Sequence, residues 1–279
     1  MIHLQSVAIQ ERKRGSGFPF TVPTISTLRE MELDVPVSFF VGENGSGKST
    51  LLEAIAIATG LPAVASTSTR DDETLAAQRS LGGALRLGWE HRTHRGFFLR
   101  AEDFFGFARS LSRTRAEMKE RVAELEVEYT DRSAHAKGLA MGPALASIRE
   151  MEARYGADID ANSHGQAFFT LFRSRFVPGG LYVLDEPETP LSPLSQLALL
   201  AMLKDMVEQE AQFIIATHSP ILLAMPGAAI FDFDRQPVRR ASYDDLEHVR
   251  LTREVLADPE LGFFRRPAVF RRSRLSARV

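Results

Sequence analysis

Residues 42–50, with the sequence GENGSGKST, constrain this chain more than any other segment. They place a glycine-rich turn directly after the apolar run 35–41, and the following residues 51–58 predict a helix. Glycines allow the backbone to curl so that successive N–H groups point at phosphate oxygens, and the helix N-terminus adds positive potential. The order of strand, loop and helix therefore predicts a phosphate cradle for a nucleotide. Its predicted contacts are Gly42, Glu43, Asn44, Gly45, Ser46, Gly47, Lys48, Ser49 and Thr50.

Two side chains in this loop have specific expected roles. Lys48 can reach the β- and γ-phosphates as a point charge, and the Ser49 hydroxyl can bind Mg²⁺. A glycine turn that only connects two core elements has no need for a lysine at this point. We therefore interpret the loop as functional.

Composition limits the classes of protein to consider. A chain of 279 residues that is 44% hydrophobic can bury a large core, and we expect one domain rather than two small ones. It contains no cysteine, which excludes disulfides, thiolate catalysis and cysteine-ligated metal sites. Neither a secretory signal nor a stretch of ~20 apolar residues is visible, so we expect a soluble, cytoplasmic protein.

The net charge of −2 gives no general indication of nucleic-acid binding. Arginines do accumulate near the C-terminus, where residues 262–279 form a basic tail without acidic side chains. The tail can contact phosphate or anionic lipid, but we favour the interpretation that it is a solvated, arginine-rich terminus. We predict no function from it.

The first half of the chain predicts antiparallel strands followed by helices. Residues 2–9 and 18–22 read as two short strands around a charged turn, and residues 85–89 and 96–99 suggest a hairpin. Phe18 or Phe20 can stack on a nucleotide base, although an aromatic side chain in an apolar strand is commonly part of the core. Residues 101–154 have a helical pattern, in which 116–129 fits a surface helix better than a coiled coil.

The last third alternates strands and helices. Residues 180–184, 211–216 and 228–233 are apolar strands, and 192–209 and 220–224 are helical. This alternation is typical of a parallel sheet with crossover helices, where ligands bind at the carboxyl ends of the strands.

Polar residues follow two of these strands at the expected ligand edge. Asp185 can lie near Mg²⁺, and the adjacent Glu186 can orient or deprotonate a water molecule that attacks the γ-phosphate. His218 follows the next strand and can hydrogen-bond the γ-phosphate. Each residue alone is compatible with an ordinary turn, but together with the glycine-rich loop they predict a catalytic site.

The segments GENGSGKST, LYVLDEPE and IIATHSP resemble the Walker A, Walker B and switch-histidine motifs of ABC-type ATPases, in the same order. Residues 162–166 are similar to the signature motif of that family, which Ser163, Gly165 and Gln166 match, while Asn162 and His164 depart from it. The chain resembles a group of stand-alone bacterial ATPases with this variant signature. The resemblance implies an α/β P-loop NTPase fold, with a mostly parallel sheet, antiparallel N-terminal edge strands and a helical subdomain.

The resemblance also implies a mode of action. Ser163, Gly165 and Gln166 would cap the γ-phosphate of ATP held by a second subunit and close an ATP-sandwich homodimer. Residues 191–193 lie where the family has its D-loop. The family's Q-loop glutamine has no match, and Arg100 or Glu102 is the candidate to replace it. The predicted domain spans residues 1–261, with the helical subdomain at about 101–176.

The leading hypothesis is a soluble ATPase that uses ATP and Mg²⁺, with Lys48, Glu186 and His218 as catalytic residues. Alternatives are the nucleotide-binding subunit of a membrane transporter and an ATP-dependent dimerisation switch in DNA repair or defence. A small-molecule kinase is disfavoured, because kinases exclude water and Glu186 is placed to activate it. The protein or DNA partner on which such an ATPase acts is left open by the sequence.

Overall fold

The computed structural model describes residues 1–64, 76–155 and 164–258. Its centre is a six-stranded sheet in the order β5-β6-β7-β3-β8-β9, in which every pairing is parallel except that of β8 with β9. The strands of this sheet are β3 (Val37–Val41), β5 (Gly96–Arg100), β6 (Leu181–Asp185), β7 (Gln212–Ala216), β8 (Ala229–Asp232) and β9 (Arg239–Ala241). The α/β class and the parallel sheet are therefore as predicted.

A second sheet of three antiparallel strands lies in the order β2-β1-β4. Its strands are β1 (Leu4–Ile9), β2 (Glu30–Glu32) and β4 (Leu85–Trp89). The antiparallel N-terminal strands are thus confirmed, but the prediction of a strand at 18–22 is wrong. Pro19 and Pro23 interrupt that segment, which forms turns before a short helix begins with Pro23 at its first position.

The predicted hairpin of residues 85–89 and 96–99 is also wrong. β4 pairs with β1 in the small sheet, whereas β5 pairs with β6 in the large one. Phe97, Phe98 and Leu99 are all buried, so β5 needs cover on both faces, as a strand of a parallel sheet receives. At its start, a Cβ on Gly96 would lie 1.8 Å from the Leu181 carbonyl oxygen, so only glycine fits there.

Helices cover the large sheet and extend from it. The described α-helices are α1 (Pro23–Thr27), α2 (Lys48–Thr59), α3 (Ala76–Ala84), α4 (Ala101–Glu128), α5 (Ala134–Tyr155), α6 (His164–Arg175), α7 (Pro193–Glu208), α8 (Pro220–Leu223) and α9 (Glu247–Ala257). None of them combines the length and the apolarity that a membrane crossing requires. Ser192 caps α7 by accepting from the Ser195 N–H, and Ser219 caps α8 in the same way through Leu222.

The helical region predicted from residue 101 onward consists of α4, α5 and α6. α4 and α5 are long neighbouring helices joined by residues 129–133. Leu125 on α4 and Ala144 and Ile148 on α5 are buried, and Arg115 pairs with Glu152 at 3.1 Å between the helices. The predicted surface helix at 116–129 is therefore the second half of α4, which ends at Glu128 and packs against α5. The division at residue 261 stays a prediction, since the basic tail 262–279 lies outside the described residues.

Two apolar clusters pack against the central strands. Alternate residues of β3 belong to different clusters, with Phe40 beside α2 in one and Phe39 in the other. The second cluster is rich in aromatic side chains, among which Tyr182 and Phe213 stack at 5.1 Å between ring centroids. This two-sided burial explains why the central strands read as unbroken apolar runs.

Gln212, at the start of β7, joins the two sheets and is fully buried. Its side-chain oxygen accepts the N–H groups of His3 and Leu4 at 2.9 and 2.8 Å, and its amide nitrogen donates to the Leu4 carbonyl at 2.9 Å. A longer bond of 3.4 Å reaches the Leu33 carbonyl. One side chain therefore satisfies main-chain groups of two separate segments.

We expect Gln212→Ala to lower the free energy of unfolding by about 3 kcal/mol, because it leaves buried N–H and C=O groups without partners. Urea denaturation would measure this loss. Gln209→Ala is the control, since the Gln209 side chain is exposed and, among the described residues, bonds only the Asp205 carbonyl one turn earlier, at 3.2 Å. Equal stability of the two variants would contradict the joining role of Gln212.

Candidate functional site

The glycine-rich loop connects β3 to α2 in the predicted order. Gly42, Gly45 and Gly47 have φ angles of 147°, 83° and 101°, which side chains disfavour. A Cβ on Gly47 would also lie 2.6 Å from the Thr24 hydroxyl oxygen and 2.9 Å from Val22. No side chain caps the N-terminus of α2, which begins at Lys48. The loop therefore presents the helix N-terminus and its curled backbone to an anion.

Lys48 lies inside this loop and is only 4% exposed. Its ammonium group donates to the carbonyl oxygens of Gly42 at 2.5 Å and Glu43 at 3.0 Å. Burial lowers the pKa of Lys48, while the carboxylates of Asp234 and Glu186 oppose this effect. A cation held in this way is placed to bind phosphate oxygens that enter the loop.

Ser49 and Asp185 meet although 136 residues separate them. The Ser49 hydroxyl donates to Asp185 Oδ1 at 3.2 Å, which joins the first turn of α2 to the end of β6. Burial raises the pKa of Asp185 from 3.8 to about 7, and the hydrogen bond from Ser49 only partly offsets it. This carboxylate therefore lies in a place that favours a compensating cation.

Glu186 and His218 follow β6 and β7, which are neighbours in the sheet. Glu186 has a φ of 48°, in the left-handed region, and its N–H donates to the Ala216 carbonyl at 2.9 Å. His218 Nε2 lies 3.8 Å from Glu186 Oε1, and both side chains are about 40% exposed. The structure thus places the two residues side by side at an edge open to solvent.

The structure brings together most of the residues that the sequence singled out. The loop 42–50, Asp185, Glu186 and His218 all lie at the carboxyl edge of β3, β6 and β7. Ser163 lies outside the described residues, and Gly165 and Gln166 fall in the first turn of α6. Phe20 is buried, so the interpretation of this side chain as part of the core is confirmed. Phe18 is 60% exposed.

Sequence reasoning missed Asp234, which follows β8 at the same edge. Asp234 Oδ1 accepts the Glu43 N–H at 2.8 Å and so holds the start of the loop. The rule that found Asp185 and His218, a polar residue after an apolar strand, applies to Asp234 as well.

The sequence analysis named Arg100 as a candidate for the Q-loop position but missed its pairing with Glu53. Arg100, the register partner of Asp185, forms a 2.8 Å ion pair with Glu53 on α2. Glu102, the other candidate for the Q-loop position, is in α4. Glu53 lies one helical turn after Ser49. The sequence of an apolar helix does not indicate which residue an acidic side chain within it pairs with.

His248 on α9 was also missed. Burial lowers its pKa, and the positive charge of His218 adds to that effect. Nothing in the local sequence of α9 indicates this proximity.

The donor set of this edge fits Mg²⁺ bound with a nucleotide. Mg²⁺ prefers oxygen ligands and is held by one or two protein groups together with phosphates and water. Ser49 and Asp185 supply a hydroxyl and a carboxylate, already in contact. The backbone N–H groups of the loop and the Lys48 ammonium group are donors of the kind that phosphate oxygens accept.

Two protein families match parts of this chain. A family described as "AAA domain" matches residues 25–132, and one described as "AAA domain, putative AbiEii toxin, Type IV TA system" matches residues 166–224. Both segments are similar to AAA domains. The first contains the glycine-rich loop, and the second contains Asp185, Glu186 and His218. No curated protein matches the chain significantly.

Several solved structures are similar to the chain at low scores. A nucleotide-free ATP-binding cassette from an ABC transporter has a TM-score of 0.46 at 14% identity, over 93% of this chain and 97% of that one. An Smc head domain derived from Pyrococcus furiosus scores 0.45 at 11% identity, over 93% and 100%. The SMC head domain from Thermotoga maritima scores 0.38 at 14% identity, over 86% and 98%.

We expect Gly47→Ala to lower the free energy of unfolding by about 1–3 kcal/mol, because a side chain there is strained and meets Thr24 and Val22. Thermal unfolding would measure the change. Gly45→Ala shares the positive φ but has no neighbour within 4 Å, so it should cost less. Gly83→Ala, in α3 with open space around it, is the control and should be neutral or stabilising. Equal effects at 47 and 83 would contradict the close packing of the loop.

Asp185 should make stability depend on pH in the protein without nucleotide or divalent cation. Between pH 3.8 and about 7, the folded protein keeps a proton on Asp185 that the unfolded chain releases. Stability therefore decreases as the pH rises through this window.

We expect Asp185→Asn to be more stable than the wild type at pH 8, by on the order of 3 kcal/mol, and the difference to vanish toward pH 4. Urea denaturation of both proteins across this pH range would test it. A variant less stable than the wild type at pH 8 would show that Asp185 is not held in a site that disfavours its charge.

Proposed function

We propose that this protein is an Mg²⁺-dependent ATPase that hydrolyses ATP to ADP and phosphate. The main observation in support of the proposal is the 3.2 Å hydrogen bond between the Ser49 hydroxyl and Asp185 Oδ1. It lies beside Lys48, a buried lysine in the glycine-rich loop. A hydroxyl, a carboxylate and an ammonium group therefore lie within one site, which supports the proposed roles in binding metal and phosphate. The similarity of both halves of the site to AAA domains supports the same function.

Each residue of the site has a proposed part in the reaction. Lys48 moves from its own loop carbonyls to the β- and γ-phosphates and balances their charge. Ser49 and Asp185 would hold Mg²⁺, which when bound neutralises phosphate charge and aligns the γ-phosphate for attack. Glu186 orients a water molecule in line with the γ-phosphate and accepts its proton. His218, beside Glu186, hydrogen-bonds the γ-phosphate.

We further propose that two copies of the chain close around ATP. Glu186 and His218 are about 40% exposed at the sheet edge, so a second subunit has access to the γ-phosphate side. In this proposal Ser163, Gly165 and Gln166 of the second subunit cap that phosphate, where the N-terminus of α6 favours an anion. The domain would span residues 1–261, with helices at about 101–176 as its helical part and the basic tail 262–279 outside it.

The second candidate is an ATP-dependent switch in defence, in which hydrolysis only resets a dimer. The description of the family that matches residues 166–224, which names a toxin of a toxin–antitoxin system, favours it over a role in DNA repair. The two candidates share the site and differ in rate: a switch turns over slowly unless a partner is present. Steady-state ATP hydrolysis by the purified wild type would separate them.

We expect Glu186→Gln to lower the rate of ATP hydrolysis roughly 10²–10⁴-fold, because the amide cannot accept the proton of water. It should still bind Mg²⁺ and ATP, so the closed dimer should accumulate. Light scattering would then give a mass near twice the 31.0 kDa of one chain, only with both ligands present.

Two controls make this experiment specific. Adding Lys48→Ala to Glu186→Gln should abolish the dimer through loss of phosphate binding, and adding Ser163→Arg should abolish it without loss of ATP binding by the monomer. Hydrolysis at the wild-type rate by Glu186→Gln would refute the role of Glu186. A dimer unaffected by Ser163→Arg would refute the proposed cap.

A further inference from the structure

Glu188 connects the ends of β6 and β7 through a hydrogen bond, and it has no part in the reaction proposed for Lys48, Glu186 and His218. It lies three residues after Asp185, in the turn that leaves β6. Its side-chain oxygen Oε1 accepts a hydrogen bond from the main-chain N–H of His218 at 2.7 Å. The carboxyl group therefore contacts the segment that carries the proposed catalytic histidine.

Main-chain hydrogen bonds hold the turn that contains Glu188. Glu186 adopts the left-handed conformation, and its carbonyl accepts the Thr189 N–H at 3.2 Å. The carbonyl of Glu188 accepts the Leu191 N–H at 2.8 Å. These bonds reverse the chain after β6, so that the side chain of Glu188 can reach β7 while Glu186 stays beside His218.

Other bonds hold the neighbours of His218. The Thr217 N–H donates to the Phe40 carbonyl at 3.2 Å, and the Ser219 hydroxyl donates to Gln196 at 2.5 Å. Among the described residues, the bond from Glu188 is the hydrogen bond that holds the main chain of His218 itself. Glu188 also hydrogen-bonds the Thr217 side chain. Loss of its carboxyl group would therefore release the main chain of His218, while the bonds of the Thr217 N–H and of the Ser219 hydroxyl remain.

The surroundings of Glu188 favour a carboxyl group that accepts hydrogen bonds from the protein over one that is hydrated. The Oε2 atom of Glu188 is inaccessible to solvent, and this burial raises the pKa of Glu188 above its usual value. Hydrogen bonds with the Thr217 side chain and with main-chain groups, including the N–H of His218, partly offset this shift. The carboxyl group is therefore held by bonds to the protein, and their geometry decides where it lies.

We propose that Glu188 is a positioning residue: its bond to the main chain of His218 holds the imidazole beside Glu186, where His218 Nε2 and Glu186 Oε1 are 3.8 Å apart. This inference rests on the proposed ATPase function. The two glutamates of this turn then have different roles. Glu186 acts on the attacking water molecule, and Glu188 acts by positioning His218. A misplacement of about 1 Å in such a site can cost about 100-fold in rate.

The test compares Glu188→Ala with Glu188→Gln in the full chain. Alanine removes the acceptor, so the turnover number should fall by up to about 100-fold while ATP affinity stays close to that of the wild type. Glutamine retains a carbonyl oxygen at the same place and should restore turnover. Glu186→Gln should respond in the opposite way, because there the same substitution removes the proton acceptor.

Gln212→Ala is the matched control for lost stability. Gln212 lies at the other end of β7, remote from His218, and its loss should lower stability without changing turnover. If Glu188→Ala lowered turnover only as far as Gln212→Ala does, the positioning role would be refuted. Loss of ATP binding together with turnover in Glu188→Ala would refute it as well.

A measurement that needs no activity separates this inference from the proposed function. The chain has seven histidines, so selective ¹⁵N-histidine labelling gives few amide signals, and His218→Asn identifies that of His218. Glu188→Ala should shift this signal and speed its hydrogen exchange, and Glu188→Gln should not. An unchanged signal in Glu188→Ala would overturn the inference even in an active ATPase. A wild type that neither binds nor hydrolyses ATP would refute the proposed function alone.

Discussion

Parallel pairing of β6, β7, β3 and β8 decides where the glycine-rich loop, Asp185, Glu186, His218 and Asp234 lie. These strands run in one direction, so the residues that follow them emerge at one edge of the sheet. Ser49 and Asp185 meet across 136 residues of sequence, and Glu43 and Asp234 across 191. The pairing in turn depends on strands that are apolar on both faces, since only such strands can be covered by helices on each side. The site is therefore a consequence of how the core is buried.

The same arrangement makes the site electrostatically costly. Lys48 and Asp185 are both withdrawn from water, and burial shifts the pKa of each toward its neutral form. A buried charge is stabilised only by close partners, which here are loop carbonyls for Lys48 and the Ser49 hydroxyl for Asp185. The large apolar clusters on both faces of the sheet offset this cost. A ligand that carries phosphates and a cation would complement both groups, and its binding would stabilise the folded state.

The elements that were predicted correctly are those that a short stretch of sequence specifies by itself. A Gly-Lys-Ser turn needs positive φ angles and a helix after it, and the observed loop has both. The strand prediction at residues 18–22 failed because Pro19 and Pro23 interrupt that segment. The hairpin prediction at residues 85–99 failed because the sequence of a strand does not identify the strand with which it pairs. β4 and β5 are close in sequence and both rich in apolar residues, but they pair in different sheets. Asp234 and Glu188 were missed for a related reason: their partners, Glu43 and His218, are remote in sequence.

Sequence alone determined the class of the fold, the glycine-rich loop and the candidate residues Lys48, Ser49, Asp185, Glu186 and His218. They are recognisable because each lies in the glycine-rich loop or directly after an apolar strand, so that together they form the pattern of a nucleotide site. Only the tertiary structure decided the strand order, the joining of the two sheets through Gln212, and the contacts of Asp234, Glu188 and the Arg100–Glu53 pair. These contacts are set by packing between distant segments, and hydrogen bonds formed across such distances leave no periodic trace in the sequence.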